Sequence, residues 1–465
     1  MTGQGSGTRF APTEREARRT AERPRADQGR GNPIDENAPV MPRLIRNVHV
    51  DGQLVDIAID QGVIAAIGPD LCGELLLDAN GGTALPGLHD HHIHLLATAA
   101  ERQSVRLDHC IDAEGVYNAL RNAPPGHWLR ATGYHERMAG MLDRQALDAI
   151  VPNRPLRVQH QTGGLWMLNS AALAALTTED WPEGAERDAQ GKSTGRFFRC
   201  DDWLSAQIGR SPPDLGALGR ELAAVGITGC TDASINTDAS SAALLANAVR
   251  DGRLPLRLTL MSGGPLEPAH DGAYAVGPVK ILLDDDRLPP LEDVIARIAL
   301  ARSWGRTVAA HCVTGGELAV MLAAFQEAGA RPGDRIEHGG IIAADAVAVL
   351  RELGLTVVTQ SGFIATRGDR YRILVDPAEQ DDLYRCATLL AAAVPVGGSS
   401  DAPYGDIDPW QAIRTATDRR TARGHVIGAA ERIGAMRALD LYLSPADAPG
   451  GPPRRLAPGC PADIC

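Results

Sequence analysis

The run Leu85-Pro86-Gly87-Leu88-His89-Asp90-His91-His92-Ile93-His94 constrains this chain more than any other stretch. It sets an apolar strand end against a cluster of imidazoles. Side chains on a strand alternate with period two, so histidines one residue apart point the same way. Such a pair can hold one metal ion from the C-terminal rim of a sheet, since imidazole is a favoured ligand for zinc and similar ions. Two pairs are available, His89/His91 and His92/His94. The Pro-Gly turn and the strand after it place His92 and His94 at the rim. His89 and His91 are read as neighbours that pack or support.

One pair leaves an ion under-coordinated, so further ligands must come from elsewhere. Seven more strands can be read at helix-plus-loop spacing, over residues 227–232, 256–260, 279–283, 307–311, 335–338, 355–359 and 394–398. Apolar helical stretches lie between several of them, at 291–304, 317–329 and 344–354. This alternation predicts an α/β protein with a parallel sheet, and eight strands fit a closed (β/α)8 TIM barrel.

Ionisable residues fall at the C-terminal strand ends, the catalytic face of such a barrel. Lys280 lies on the fourth strand, His311 ends the fifth and His338 the sixth. Asp401 follows the eighth, in Gly-Gly-Ser-Ser-Asp-Ala-Pro. Each has an ordinary reading alone. His311 and His338 could bond backbone, Asp401 could cap a helix, and Lys280 could pair with Asp284 or Asp401. Their shared address favours a metal centre. An ammonium repels cations, but a buried lysine of lowered pKa can be carboxylated by carbon dioxide and become an anionic bridging ligand. Glu337 points the other way from His338 along the strand, which predicts a structural role.

About a hundred residues separate the first and second strands, far more than a crossover needs. They predict an inserted cap over the barrel mouth. The expected organisation is a disordered tail (1–40), a small composite β-sandwich domain (41–85 with 440–465), the barrel (86–100 and 220–439) and the cap (101–219). The tail is rich in Arg, Glu, Gly and Pro with no signal core, and Met41 reads as an alternative start. Asp463-Ile464-Cys465 reads as the opening of a strand cut short, so the small domain is expected to be incomplete. A net charge of -12 argues against a nucleic-acid partner. No apolar run is long enough for a bilayer. Eight scattered cysteines without Cys-x-x-Cys fit free thiols and a cytoplasmic location. The expected partner is a small-molecule substrate, with no membrane; a homo-oligomer is left open.

Taken together, Pro-Gly-Leu-His-Asp-His-His-Ile-His, Val279-Lys280-Ile281, Ala310-His311, Ile336-Glu337-His338 and Gly398-Ser399-Ser400-Asp401-Ala402-Pro403 resemble the amidohydrolase superfamily. Gly133-Tyr134-His135-Glu136, Asn153-Arg154-Pro155 and Asn169-Ser170-Ala171-Ala172-Leu173 resemble its N-substituted formamide deformylase branch, amidohydrolase family 3. Gly163-Gly164 stands where that branch often has Gly-His, and Gln360-Ser361 replaces a commoner Gln-Pro. His91 also departs from the first-strand signature. The resemblance implies a hydrolase of non-peptide C–N bonds. It implies two divalent ions, zinc the expected metal, with a single ion the alternative. His92 and His94 would bind one, His311 and His338 the other, and carboxylated Lys280 would bridge them. Asp401 would be both a ligand and the general acid/base. Substrate contacts are expected from Tyr134, His135, Trp166, Arg370 and Tyr371. A mononuclear deaminase is the competing enzyme, although the glutamate usual three residues after the strand-end histidine is absent after His311. A non-catalytic metal-binding scaffold is the competing class.

Overall fold

The computed structural model describes residues 42–465 apart from 177, 179, 209–212 and 284. The expected tail and the alternative start at Met41 lie outside the described residues, as does Asp284. The chain first forms a four-stranded sheet of order β3-β2-β1-β4. Its strands are β1 (Arg43–Val50), β2 (Gln53–Asp60), β3 (Val63–Gly68) and β4 (Glu74–Asp78). Asp51-Gly52 and Gln61-Gly62 close its hairpins, with positive φ at all four residues, the conformation of tight two-residue turns. Ile45, Val48, Ile57 and Ile64 form its core, and Leu456, Ala462 and Ile464 from the far end of the chain pack against them. Leu85 and Cys465 exchange two backbone hydrogen bonds of 2.9 Å, and the Gly87 amide donates to the Asp463 carbonyl at 3.0 Å. These bonds fasten the segment that enters the histidine run.

Strand β5 (Leu88–Ile93) begins the barrel. An insertion follows, with β6 (Val105–Arg106), β7 (Leu129–Tyr134), β8 (Leu156–His160), β9 (Leu165–Leu168), β10 (Ala185–Arg187) and β11 (Ser193–Phe198). The barrel resumes with β12 (Ile227–Asp232), β13 (Arg257–Ser262), β14 (Ala275–Ile281), β15 (Val308–Cys312), β16 (Arg335–His338), β17 (Thr356–Thr359) and β18 (Val396–Gly398). These seven and β5 form one sheet, ordered β18-β17-β16-β15-β14-β13-β12-β5, with parallel pairing throughout. The Asp401 amide donates to the His92 carbonyl at 2.8 Å and the His94 amide to the Ala402 carbonyl at 2.9 Å, joining the two ends. The result is the expected (β/α)8 barrel.

The helices fall where the apolar period placed them. The helix Gly315–Ala328 is opened by a capping box between Thr314 and Glu317. It buries Leu318, Met321, Leu322 and Phe325, a 3.6-residue stripe, against the sheet. Each such side chain contributes about 1.5–3 kcal/mol when fully buried. The helix Ala435–Leu443 spans the boundary expected at 439/440 and packs on β5 and β18.

The insertion forms a six-stranded sheet ordered β10-β11-β9-β8-β7-β6. Leu129, Ala131, Leu156, Val158, Leu165 and Met167 point to one face, into a core shared with the helices Ala113–Arg121 and Arg144–Ile150. By strand alternation Arg130, Arg157, Gln159 and Trp166 take the opposite face.

Candidate metal centre

Strand β5 brings His92 to the barrel interior. Its pairing with β12 shifts register, advancing from Asp90 to Ile93 while β12 advances from Cys230 to Asp232. Bulges of this kind re-aim side chains beside active sites. His89 and His91 are buried away from His92. Nε2 of His89 lies 2.9 Å from Thr231 Oγ1, and Nε2 of His91 lies 2.9 Å from Ser444 Oγ, next to the helix Ala435–Leu443. His91 thus fills an outer contact of the barrel, which accounts for its place in the run.

Around His92 the expected residues converge. Candidate ligand atoms of His92, His338 and Asp401 lie within 4.8 Å of one another, and all three residues are buried. Asp401 Oδ1 lies 3.4 Å from His92 Nε2 and 3.3 Å from His94 Nε2. The His311 ring centroid is 4.4 Å from that of His338. Lys280 is 4% exposed, and its Nζ lies 3.5 Å from His92 Nε2.

The hydrogen bonds select the tautomers. Glu337 Oε2 accepts from His92 Nδ1, which leaves the Nε2 lone pair facing Lys280 and Asp401. Nδ1 of His338 donates to Gln360 Oε1 at 3.0 Å, Gln360 Nε2 donates to Ser399 Oγ at 2.9 Å, and Ser399 Oγ donates to the Thr359 carbonyl at 3.2 Å. That chain has one consistent direction, so Nε2 of His338 is also free. Nδ1 of His94 lies 3.1 Å from Ser234 Oγ.

Burial, reinforced by Lys280, holds His92 well below the usual imidazole value. Burial takes His311 down to about 4 and His338 down to about 3. All three are therefore neutral near pH 7, the form that ligates metal. Burial opposes the charge on Asp401, but the surrounding imidazoles hold its carboxyl below the ordinary range. Its Oδ1 is buried without a hydrogen-bond partner among the described residues. An anionic oxygen without a hydrogen bond, set among imidazoles with the free Nε2 of His92 beside it, is a donor set that fits a divalent cation.

Strand geometry departs from expectation at Glu337. Its side chain is fully buried and faces inward, bonded to His92 and Arg335. The cause is His338, whose φ of 70° turns the chain at the end of β16. Strict alternation fails there, and adjacent side chains both reach His92. Asp401, at φ 55°, occupies the same left-handed region. Non-glycine residues held in that region cost of order 1 kcal/mol or more and cluster at functional sites. The sequence alone does not single out Arg335 and Glu337 as site residues. Only the adjacency of Glu337 to a ligand histidine signalled them.

The expected substrate contacts scatter. Tyr134 is fully buried in the insertion core with its hydroxyl on the Gly140 carbonyl, so it offers no face to a substrate. Arg370 is exposed on the helix Gly362–Leu374, and the Tyr371 hydroxyl lies 3.0 Å from that of Tyr384. Among the described residues neither makes a hydrogen bond, ion pair or ring contact with His92, His94, Lys280, His311, His338 or Asp401. Arg367, one turn earlier, donates to the Tyr404 carbonyl at 2.7 Å. His135 caps the helix Glu136–Ala139 and stands with Glu136 and His160 in a separate, partly exposed cluster. Trp166 is buried on the second face of the inserted sheet. Tyr404, not anticipated, sets its ring edge-on to His94 at 5.9 Å.

The profile of the amidohydrolase family matches residues 76–465. An N-substituted formamide deformylase of Arthrobacter pascens is 26% identical over 86% of this chain and 85% of its own length. A Bacillus subtilis protein named as an amidohydrolase, YtcJ, is 24% identical over 79% of each. Among solved structures, an uncharacterized metal-dependent hydrolase from Pyrococcus horikoshii superposes with a TM-score of 0.72 at 19% identity, covering 91% of this chain and 96% of that one. No helix of the described residues is long and apolar enough to cross a membrane.

Proposed function

The chain belongs to the amidohydrolase family, and we propose that it cleaves an amide-type, non-peptide C–N bond of a small molecule, with Asp401 as general acid/base. The observation that carries this reading is the Asp401 Oδ1 without a hydrogen-bond partner among the described residues, 3.4 Å from His92 Nε2, whose lone pair is free, and 3.3 Å from His94 Nε2. His92 and His94 would hold one divalent ion and His311 and His338 a second, zinc the expected metal, with Lys280 between them and Asp401 as a further ligand. When bound, such ions bring the pKa of water near neutrality and polarise a carbonyl.

The protein's own groups do the rest. Glu337 and Gln360 fix the His92 and His338 tautomers, so lone pairs face the centre without rearrangement. Burial lowers the Lys280 pKa while Glu337 and Asp401 oppose it. The neutral amine is the form that attacks carbon dioxide; it forms a carbamate and releases a proton, and the carbamate can bridge two cations. Asp401, ionised and buried, takes a proton from the attacking water and returns it to the leaving nitrogen. The Arthrobacter relative makes N-substituted formamides the first substrates to try.

The test combines metal analysis, isotope-labelled bicarbonate NMR and a panel of N-formyl and N-acyl amines. Two ions per chain, a carbamate signal lost in Lys280→Met and turnover of a panel member are expected. A metal-free protein of full activity would overturn the reading. One ion with a free amine would replace it by a mononuclear scheme.

A further inference from the structure

We propose that the barrel-facing side of the inserted sheet is an anion-binding roof, in which Arg157 and Arg130 receive a carboxylate carried by the substrate. The proposal rests on the reading of the barrel rim as the hydrolytic centre. Arg130 and Arg157 are register partners on β7 and β8. Like charges directly opposite on paired strands are destabilising, so the pair calls for compensation. Both guanidinium groups lie over the Trp166 ring, 5.4 and 5.1 Å from its centroid, a contact that tolerates cations but leaves their donors free.

The donors are unequally occupied. Arg130 reaches Ser104 Oγ at 2.8 Å and Gln159 Oε1 at 3.4 Å. Among the described residues Arg157 makes no side-chain hydrogen bond or ion pair, and its Nε is buried without a partner. Among the described residues the one acid acting on Arg157 is Asp201, whose Oδ1 accepts from Trp166 Nε1 at 2.7 Å. Glu101 also acts on Arg130, but its oxygens pair with Arg102 and Arg106, so Asp201 is shared by two cations in a place largely withdrawn from water. Desolvation and the neighbouring Arg157 together bring Arg130 down to about 10. A guanidinium presents a planar fork of donors matched to a carboxylate, and buried unmet donors are costly. A substrate carboxylate would supply the missing charge and the missing acceptors together.

The roof approaches the proposed centre through a chain of neighbouring groups. Gln159, bonded to Arg130, donates to the Gly163 carbonyl at 3.2 Å. A Cβ at Gly163 would lie 3.9 Å from the Tyr404 hydroxyl. The Tyr404 ring in turn meets His94. Arg130 and Asp201 are also near enough to act on the Tyr404 hydroxyl electrostatically. A substrate with its scissile bond at the rim and an extended spacer past Tyr404 would place its far end on Arg157.

The probes are N-formyl-ω-amino acids of increasing chain length and their C-terminal primary amides. Each is measured on the metal-loaded enzyme by kcat/KM or, where turnover is absent, by calorimetric Kd. For at least one chain length the acid should be favoured over its amide by roughly tenfold or more, the scale of a charged hydrogen-bonded pair. Arg157→Met should bring that ratio near unity, and Arg157→Lys should restore part of it. Melting temperatures of both variants establish that they fold. Equal binding of acid and amide at every length, or a ratio unchanged in a folded Arg157→Met, would overturn the roof. Acid preference without turnover of any probe would support the roof while counting against the proposed hydrolysis.

Discussion

Glu337→Gln is nearly isosteric and tests how the centre is held. Glu337 is fully buried between Arg335, whose Nη2 donates to Oε2 at 3.2 Å, and Nδ1 of His92. Burial works against its charge, but Arg335 and Lys280 keep its carboxyl below the ordinary value, so it is the anion that both neighbours address. A carboxylate accepts on both oxygens; an amide accepts on one. Whichever way the substituted amide is turned, its NH2 group would face a donor, either the Arg335 fork or the His92 Nδ1–H. If it faces His92, the relief is to move the proton to Nε2, which removes the lone pair meant for a cation. Arg335 meanwhile stays buried without its counter-charge. Breaking a buried pair costs about 3–5 kcal/mol, and losing the group that orients a ligand histidine weakens metal binding about 10–100-fold. Urea unfolding of the metal-free protein reads the first loss, and competition with a chelator reads the second. If Glu337→Gln matched the original protein within about 1 kcal/mol and bound metal equally tightly, the tautomer argument would be refuted.

Asp401→Asn should keep its metal and lose turnover by about 10²–10⁴-fold, checked by metal content and kcat in parallel; unchanged kcat would remove Asp401 from proton transfer. Gln360→Met deletes the acceptor of His338 Nδ1–H, and chelator competition should show metal affinity about tenfold lower or worse, with a smaller effect on kcat once the site is saturated. The metal-free protein should lose stability between pH 6.5 and 5, measured as the urea midpoint. Burial holds His89, His91, His92, His311 and His338 below the free value of 6.5, so the unfolded chain takes up protons that the folded chain refuses. Their stabilising contribution is complete above 6.5 and declines as pH falls. Asp90, raised to about 6 by burial, binds a proton in the folded state and offsets one of them. A midpoint that rose across that interval would contradict the burial of these imidazoles in solution.

The barrel and the convergence of His92, His94, His311, His338 and Asp401 were legible because both depend on local signals. Strand and helix periods alternate along the chain, and the polar residues sit at strand ends, where a parallel barrel must gather them. What escaped the sequence depends on departures from those periods or on contacts between distant strands. Tyr134 belongs to a motif beside His135, but only packing of the insertion shows that its ring is buried and its hydroxyl taken by Gly140. The pairing of Arg130 with Arg157 needs the register of β7 and β8, which two short strands separated by the helices Glu136–Ala139 and Arg144–Ile150 leave undetermined. Glu337 escaped for a sharper reason. Alternation assigns it and His338 to opposite faces, and the left-handed turn at His338 cancels that assignment. The same turn lets one strand end deliver one candidate ligand, His338, and the carboxylate that orients another, His92. At the end of β18 the left-handed Asp401 holds its backbone on the His92 carbonyl while its side chain faces His92 and His94. Strained backbone therefore coincides with the two positions where the barrel places more polar groups around His92 than regular strands could supply. Substituting Gly339, which continues the turn at φ 54° and would carry a Cβ 2.8 Å from Ile342, would press on this arrangement through the backbone next to His338.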